Sequence, residues 1–256
     1  MINKIKLRDA FSRSSRMYEA KAALQKEIAG ELSDRINHGI KNAKSIVDIG
    51  MGTGFLTERL THLFSNARIC GLDFASGMTS FAKERSDAIR ILQADAEHLP
   101  FADESFDLVV SNLTYQWVIK LEDAFKEVNR VLKKRKKFYF TCFGAKTLHE
   151  LRNSFADAEP SFDRKTHLPH QLPIEKFLYA SGFKRVTVEC KLQKRIFHDV
   201  FDLVGWLKDI GANYSGKTEF IGLKKWKQAN NYYLSHYKSD GGIFATFEVL
   251  WVEAQK

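Results

Sequence analysis

The chain has 256 residues, 44% of them hydrophobic, with 40 Lys and Arg against 31 Asp and Glu for a net charge of +9. That length allows one large domain with a buried core, so a single catalytic unit spanning residues 1–256 is expected. The three cysteines show no metal-ligand spacing and no disulfide framework, and no apolar run approaches the roughly 18 residues of a membrane span, so a soluble cytoplasmic protein without membrane association is expected.

The positive charge suits nucleic acid, an anionic membrane or an acidic protein. No RGG tract, RNP-like aromatic segment or zinc-finger spacing supports nucleic acid, which is not expected as a partner. Oligomeric state is not encoded in any motif, and a monomer is the default.

In chain order, Leu24, Ile28, Leu32 and Ile36 lay one apolar stripe along a helix over Tyr18 to Ile36. Short β-branched runs follow at Ser45–Ile49, Arg68–Leu72, Ile89–Gln93, Asp107–Ser111 and Lys137–Phe143. Helical spacing separates them at Phe55–Ser65, Gly77–Arg85 and Leu121–Leu132. This alternation predicts an α/β, Rossmann-like fold, a mostly parallel sheet of seven strands with helices on both faces. After Phe143 come a helix over Thr147–Ala156, a turn-rich loop through Pro160, Pro169 and Pro173, and a strand over Phe183–Cys190. Helices at Asp199–Ile210 and Leu223–Tyr237 then precede a last strand at Ile243–Val252. Two insertions, about 145–180 and 200–240, are expected to form a lid over the site.

The first strand runs into Asp48-Ile49-Gly50-Met51-Gly52-Thr53-Gly54. Glycines on alternate positions after a strand let the backbone turn tightly and approach a nucleotide-like ligand with no Cβ in the way. The second strand ends at Asp73, followed by Phe74, where a carboxylate can accept from both ribose hydroxyls. Asp95 and Ala96 close the third strand near the adenine amino group, and Asn112 ends the fourth at the mouth of the same crevice. A nicotinamide dehydrogenase prefers its third glycine one place later than Gly54 and needs a catalytic acid or base.

The set Asp48, GxGxG, Asp73, Asp95-Ala96 and Leu99-Pro100-Phe101 resembles the class I S-adenosylmethionine-dependent methyltransferases. Within that class, Phe11 to Tyr18 with Leu24-Gln25, Ser111-Asn112-Leu113 with Gln116-Trp117, and Phe143-Gly144 with Thr147 to Arg152 are similar to the malonyl-acyl-carrier-protein O-methyltransferases of biotin biosynthesis (the BioC family). Leu207 to Asn213 and Gly241 to Val249 match that family's lid helix and last strand. The chain departs from the pattern at Lys133 to Lys137, where the family has Pro-Gly-Gly. It departs again at Ile221 to Lys225, where a Thr-Gly-Arg is usual.

The resemblance implies S-adenosyl-L-methionine as cofactor, with Asp48, Gly50, Gly52, Gly54, Asp73, Phe74, Asp95, Ala96 and Asn112 around it. It implies malonyl-acyl carrier protein, or malonyl-CoA, as acceptor. A malonyl carboxylate is ionised at neutral pH, since such groups titrate near about 4, so no general base is required and positioning should dominate. The eight histidines show no catalytic spacing, and His167 and His170 read as surface-loop residues. Tyr18, Gln116 and Trp117 are the candidates for shaping the methyl-transfer site, and Arg152 for orienting the carboxylate. Lys208, Lys217, Lys224, Lys225 and Lys227 are placed to meet an acidic carrier protein. Three alternatives stand on the sequence alone: a methyltransferase for another small carboxylate, a protein-arginine hydroxylase of the same fold, and a non-catalytic cofactor-binding module.

Overall fold

A computed structural model describes residues 3–85, 89–158, 174–212 and 222–256. Two helices open it, α1 (Lys4–Lys21) and α2 (Ala23–Gly39), where the apolar stripe predicts one. The chain breaks at Ala22, whose ψ of 43° leaves the helical region. The carbonyls freed there find new donors: Trp206 Nε1 donates to Lys21 O at 3.0 Å and Lys26 Nζ to Glu19 O at 2.7 Å. A helix break inside a buried region requires such partners.

The sheet then builds from β1 (Ser45–Ile49), β2 (Arg68–Asp73), β3 (Arg90–Gln93), β4 (Phe106–Asn112) and β5 (Leu132–Phe143). The helices between them are α3 (Phe55–Leu63), α4 (Ser76–Arg85) and α5 (Leu121–Val131). Next come α6 (His149–Ala158), α7 (Ile174–Ala180), β6 (Arg185–Phe197), α8 (Val200–Asp209), α9 (Leu223–His236), the two-residue β7 (Lys238–Ser239) and β8 (Gly242–Gln255). Strand order is β3-β2-β1-β4-β5-β8-β6, with β7 paired to β8. The pairs among β1 to β5 are parallel, and β8 runs antiparallel to both β5 and β6. All five residues of β1 are buried, as expected for a central strand covered on both faces.

One face is covered by α2, α3, α6, α8 and α9, with Ile28, Leu32, Leu60, Leu151, Leu203 and Tyr233 in a single cluster. The other is covered by α5 and α7 through Phe125, Val128 and Leu178. Each such side chain contributes about 1.5–3 kcal/mol on burial. Helix α7 lies where the sequence reads as loop: its seven residues bury only Ile174 and Leu178, too short a stripe to register as periodicity.

The Lys133 to Lys137 run forms its turn without glycine. Pairing with β4 jumps from Phe106↔Leu132 to Leu108↔Lys137, and Arg135 takes φ +61° in the bulge. Gln255 Nε2 donates to its carbonyl and Lys133 pairs with Asp107 at 3.2 Å. This turn precedes the strand's parallel run, whereas the glycine loop sits at the opposite, carboxyl ends of the strands. Residues 159–173 and 213–221 of the two expected lid insertions, with His167, His170 and Lys217, lie outside the described residues. No helix among the described residues is long and apolar enough to cross a membrane.

Candidate active site

The glycine loop is hooked onto the neighbouring strand: the N–H groups of Gly50 and Met51 donate to Leu72 O at 2.8 and 2.9 Å. Gly50 has φ +71° and Gly52 φ +57°, both in the left-handed region that favours glycine. A Cβ at Gly50 would overlap the side chain of Thr114, whereas one at Gly52 would meet only the Tyr18 ring, at 3.8 Å. Gly52 therefore presents bare backbone to open space. Gly54 caps α3 and packs on Met51 and Ala82, a helix-packing role away from the cavity.

That open space is a cavity of about 320 Å³ at the carboxyl ends of β1, β2 and β4, the crevice where open α/β sheets bind ligands. Of the residues expected at a cofactor, Gly50, Gly52, Asp73, Phe74, Asp95, Ala96 and Asn112 line it. Asp48 does not. It borders an adjoining recess of about 30 Å³ with Gln25 and Lys26, and its Oδ2 accepts from Thr57 Oγ1 at 2.6 Å. Asp73 Oδ2 accepts from Gly52 N at 3.0 Å and its Oδ1 from Ala75 N at 2.8 Å, which fixes the carboxylate against the loop. Asn112 is held by Thr141 Oγ1, which donates to its Oδ1 at 2.7 Å, and donates in turn to Gln25 O at 3.1 Å.

Tyr18, Gln116 and Trp117 also line the cavity. Gln116 Nε2 donates to Leu113 O at 2.7 Å, and Trp117 stands edge-on to Phe11 with ring centroids 5.4 Å apart. Arg152 is not brought to the cavity. Its guanidinium donates to the carbonyls of Thr147 and Ala145, tying α6 to the turn after β5. Lys208, Lys224 and Lys227 are exposed on α8 and α9.

Several cavity residues stand outside the candidate set: Lys4, Phe155, Trp206 and Trp226 carry no motif, and Gln25, Phe143 and Phe247 lie in family-like segments without a role read for them. Lys4 reaches in from the first turn of α1, and Gln25 from α2. Phe143, Phe155, Trp206, Trp226 and Phe247 wall the end beneath α6, α8 and α9. Trp226 stands edge-on to Phe155 at 4.8 Å and stacks on Phe201 at 5.6 Å. The cavity thus has a polar end, with Asp73, Asp95 and Glu97, and an aromatic end under α6, α8 and α9.

The polar end has unusual acidities. Burial pushes the Asp73 carboxyl up to about 6 against hydrogen bonds from Ala75, Gly52 and Phe74 that favour its ionised form. Burial likewise raises Asp48 to about 7, opposed by the Thr57 bond and helped by the nearby charge of Asp73. The Tyr18 hydroxyl is pushed above its ordinary value by burial and then by Asp73 and Glu19, so it is a neutral donor at any physiological pH. No cluster of metal-ligating side chains occurs among the described residues.

A methyltransferase domain model matches residues 47–140, the segment from the glycine loop to β5. A relative from Geobacter sulfurreducens, named malonyl-[acyl-carrier protein] O-methyltransferase, is 34% identical over 263 residues and covers 98% of both chains. The chain belongs to the malonyl-[acyl-carrier protein] O-methyltransferase family. Another family member, from Acetivibrio thermocellus, is 30% identical across 100% of this chain and 95% of its own. Among solved structures, the YcgJ protein of Bacillus subtilis superposes with a TM-score of 0.64 at 17% identity, covering 89% of this chain and 98% of that one. A phosphoethanolamine N-methyltransferase of Haemonchus contortus, solved with S-adenosyl-L-methionine, gives 0.53 at 19% identity over 85% of this chain and 49% of that one. These two likenesses bear out the Rossmann-like fold.

Proposed function

We propose that this family member transfers the methyl group of S-adenosylmethionine to the free carboxylate of a malonyl thioester on acyl carrier protein, an early step of biotin synthesis. The observation that carries the proposal is one cavity joining a nucleoside-type polar end to an aromatic chamber, in a chain similar over its whole length to enzymes named for that reaction.

The residues present fit the cofactor. Gly52 offers backbone with no side chain between it and the ligand, and Asp73 has lone-pair capacity left for ribose hydroxyls beside its backbone bonds from Gly52, Ala75 and Phe74. Oδ1 of Asp48 and Oε1 of Gln25 are buried acceptors with no hydrogen-bond partner among the described residues, and both residues border the small recess beside the loop. Buried acceptors of this kind call for donors, which the ammonium of a methionyl tail has. When bound, S-adenosylmethionine supplies an electrophilic sulfonium methyl group.

The protein's own task is positioning. The acceptor carboxylate arrives ionised, so no side chain has to take a proton from it. Trp206, Trp226, Phe155 and Phe247 exclude water, and a carboxylate stripped of water is a stronger nucleophile. Tyr18 can donate one neutral hydrogen bond to orient it without the over-stabilisation a buried guanidinium would bring. Of the two expected insertions, α6, α8 and α9 serve as the cover of this chamber, whereas α7 packs with α5 on the other face of the sheet.

The test is direct. Purified protein with S-adenosylmethionine and malonyl-acyl carrier protein should give a carrier heavier by one methyl group by intact mass spectrometry, and the gene should restore growth without biotin to a strain lacking the family enzyme. If both fail while cofactor binding persists, the acceptor assignment is wrong.

A further inference from the structure

Lys4 is the one residue of α1's first turn that reaches the cavity, and it does so to bridge two carboxylates. Its Nζ lies 2.7 Å from Asp95 Oδ2 and 2.8 Å from Glu97 Oε1. Glu97 is 6% exposed, and the same Oε1 accepts the N–H groups of Ile119 at 3.0 Å and Lys120 at 3.3 Å. Asp95 Oδ1 accepts from Glu97 N at 3.0 Å, closing a tight turn at the end of β3. One ammonium therefore joins three segments: α1, the turn after β3 and the loop after β4.

The helix it stands on is firmly seated. Leu7 and Phe11 pack with Ala75 and Met78, and the Ser12 backbone lies on Gly77, where any Cβ would collide with its carbonyl. Asn3 caps the helix, accepting from Lys6 N at 3.1 Å. The ammonium thus approaches Asp95 from a rigid base. A purine amino group reaching Asp95 needs an acceptor held in a fixed direction. Without the cation, Asp95 and Glu97 would face each other as like charges across the space Nζ now fills, and repulsion would turn Asp95 away. A carboxylate has about four acceptor positions, so Asp95 keeps capacity for the amino group with Lys4 and Glu97 N in place.

We propose that Lys4 is a positioning residue for the cofactor, holding Asp95 so that the site selects a 6-amino purine over a 6-oxo purine. The proposal rests on the reading of the polar end as a nucleoside site. It assigns to α1 a part in cofactor selection as well as in covering the cavity.

The experiment is calorimetric titration of S-adenosylhomocysteine and its inosine counterpart into wild type, Lys4→Gln and Lys4→Arg, with steady-state kinetics alongside. Wild type should bind the adenosine form and discriminate strongly against the inosine form. Lys4→Gln should weaken the adenosine form about three- to tenfold, the low end for a charge-assisted bond at part-exposed groups, and shrink the discrimination ratio. KM for the cofactor should rise with kcat within about twofold, and Lys4→Arg should restore most of the ratio because it keeps a cation in reach. A stabilising role alone would lower the melting temperature and leave the ratio unmoved. An unchanged ratio in folded Lys4→Gln overturns the inference while the nucleoside site stands; no binding by wild type overturns the nucleoside reading itself.

Discussion

In the proposed site, Asp73 couples cofactor binding to protons. Its carboxyl titrates at about 6 in the folded chain against 3.8 for a free aspartate, because burial penalises the charge more than its backbone bonds favour it. For an acid whose folded value is raised, the stability sign is opposite to the usual one. The folded apo protein is at its best below pH 3.8, as far as this group is concerned, and loses stability as pH rises through 6. Raising the carboxyl from 3.8 to about 6 makes its ionised form about 3 kcal/mol less favourable in the folded chain. Ribose hydroxyls donate to the ionised form, so the ligand has the reverse preference. At pH 5 about one molecule in ten carries Asp73 ionised, so this group alone should make the affinity for S-adenosylhomocysteine about tenfold lower than at pH 8. Calorimetry across pH 5 to 8, in two buffers of different ionisation enthalpy, should also show proton release near pH 6. Asp48 titrates at about 7 and feels Asp73, so the two are separated by variant. Asp73→Asn should remove the part of the limb centred near pH 6, leave the part near pH 7 that Asp48 contributes, and weaken binding at pH 8 by about 1–3 kcal/mol. Asp48→Asn should leave the part near pH 6 in place. A wild-type affinity that does not change from pH 5 to 8 would refute the argument.

Two further predictions test the scaffold. Gly50→Ala forces a side chain into φ +71° and onto Thr114, and should lower unfolding free energy in urea by more than about 1–2 kcal/mol, the cost of the backbone angle alone; a neutral result would mean the loop has another low-energy path. Asp107 sits at about 2: burial opposes its charge, but hydrogen bonds from Lys133, Lys44 N and Ser45 outweigh it. A depressed carboxyl contributes stability that is complete above pH 3.8 and lost as pH falls toward 2. Asp107→Asn should therefore cost about 1–2 kcal/mol at pH 7 and little at pH 2 by urea melts, the range discounted because Lys133 is part-exposed. An equal cost at both pH values would show that packing, not charge, is at work.

What the sequence makes legible follows from how local each feature is. Gly50, Gly52 and Asp73 are set by the backbone path at the ends of two adjacent strands, so their spacing alone places them together. The alternation of strand and helix through β5 reads correctly for the same reason. Lys4 meets Asp95 across 91 residues of chain and Trp206 meets Lys21 across 185, contacts that depend on where whole helices pack and leave no spacing to read. The break at Ala22 is of this kind too, since the apolar stripe of α2 gives no hint that an indole from α8 will take the carbonyl before it. Arg152 shows the converse: its place in a family-like segment suggests substrate, but the backbone carbonyls within reach of its own helix claim it.

Part of the C-terminal segment is architectural. Glu150 is fully buried and accepts from the N–H and hydroxyl of Thr246. Glu248, 8% exposed, accepts from Lys146 N at 2.8 Å and lies against Gly144, where a Cβ would strike it. Thr147 adds a third tie, donating from Oγ1 to Glu248 O at 3.2 Å. These buried, fully partnered carboxylates fasten the start of α6 to β8, and a buried acid left without its partners would be costly. They fix where α6 leaves the sheet, and so where Leu148, Leu151 and Phe155 enter the cavity wall. The polar end of the cavity is shaped by the glycine loop and its carboxylates, the aromatic end by these anchors, so the two halves of one cavity are encoded by different kinds of residue.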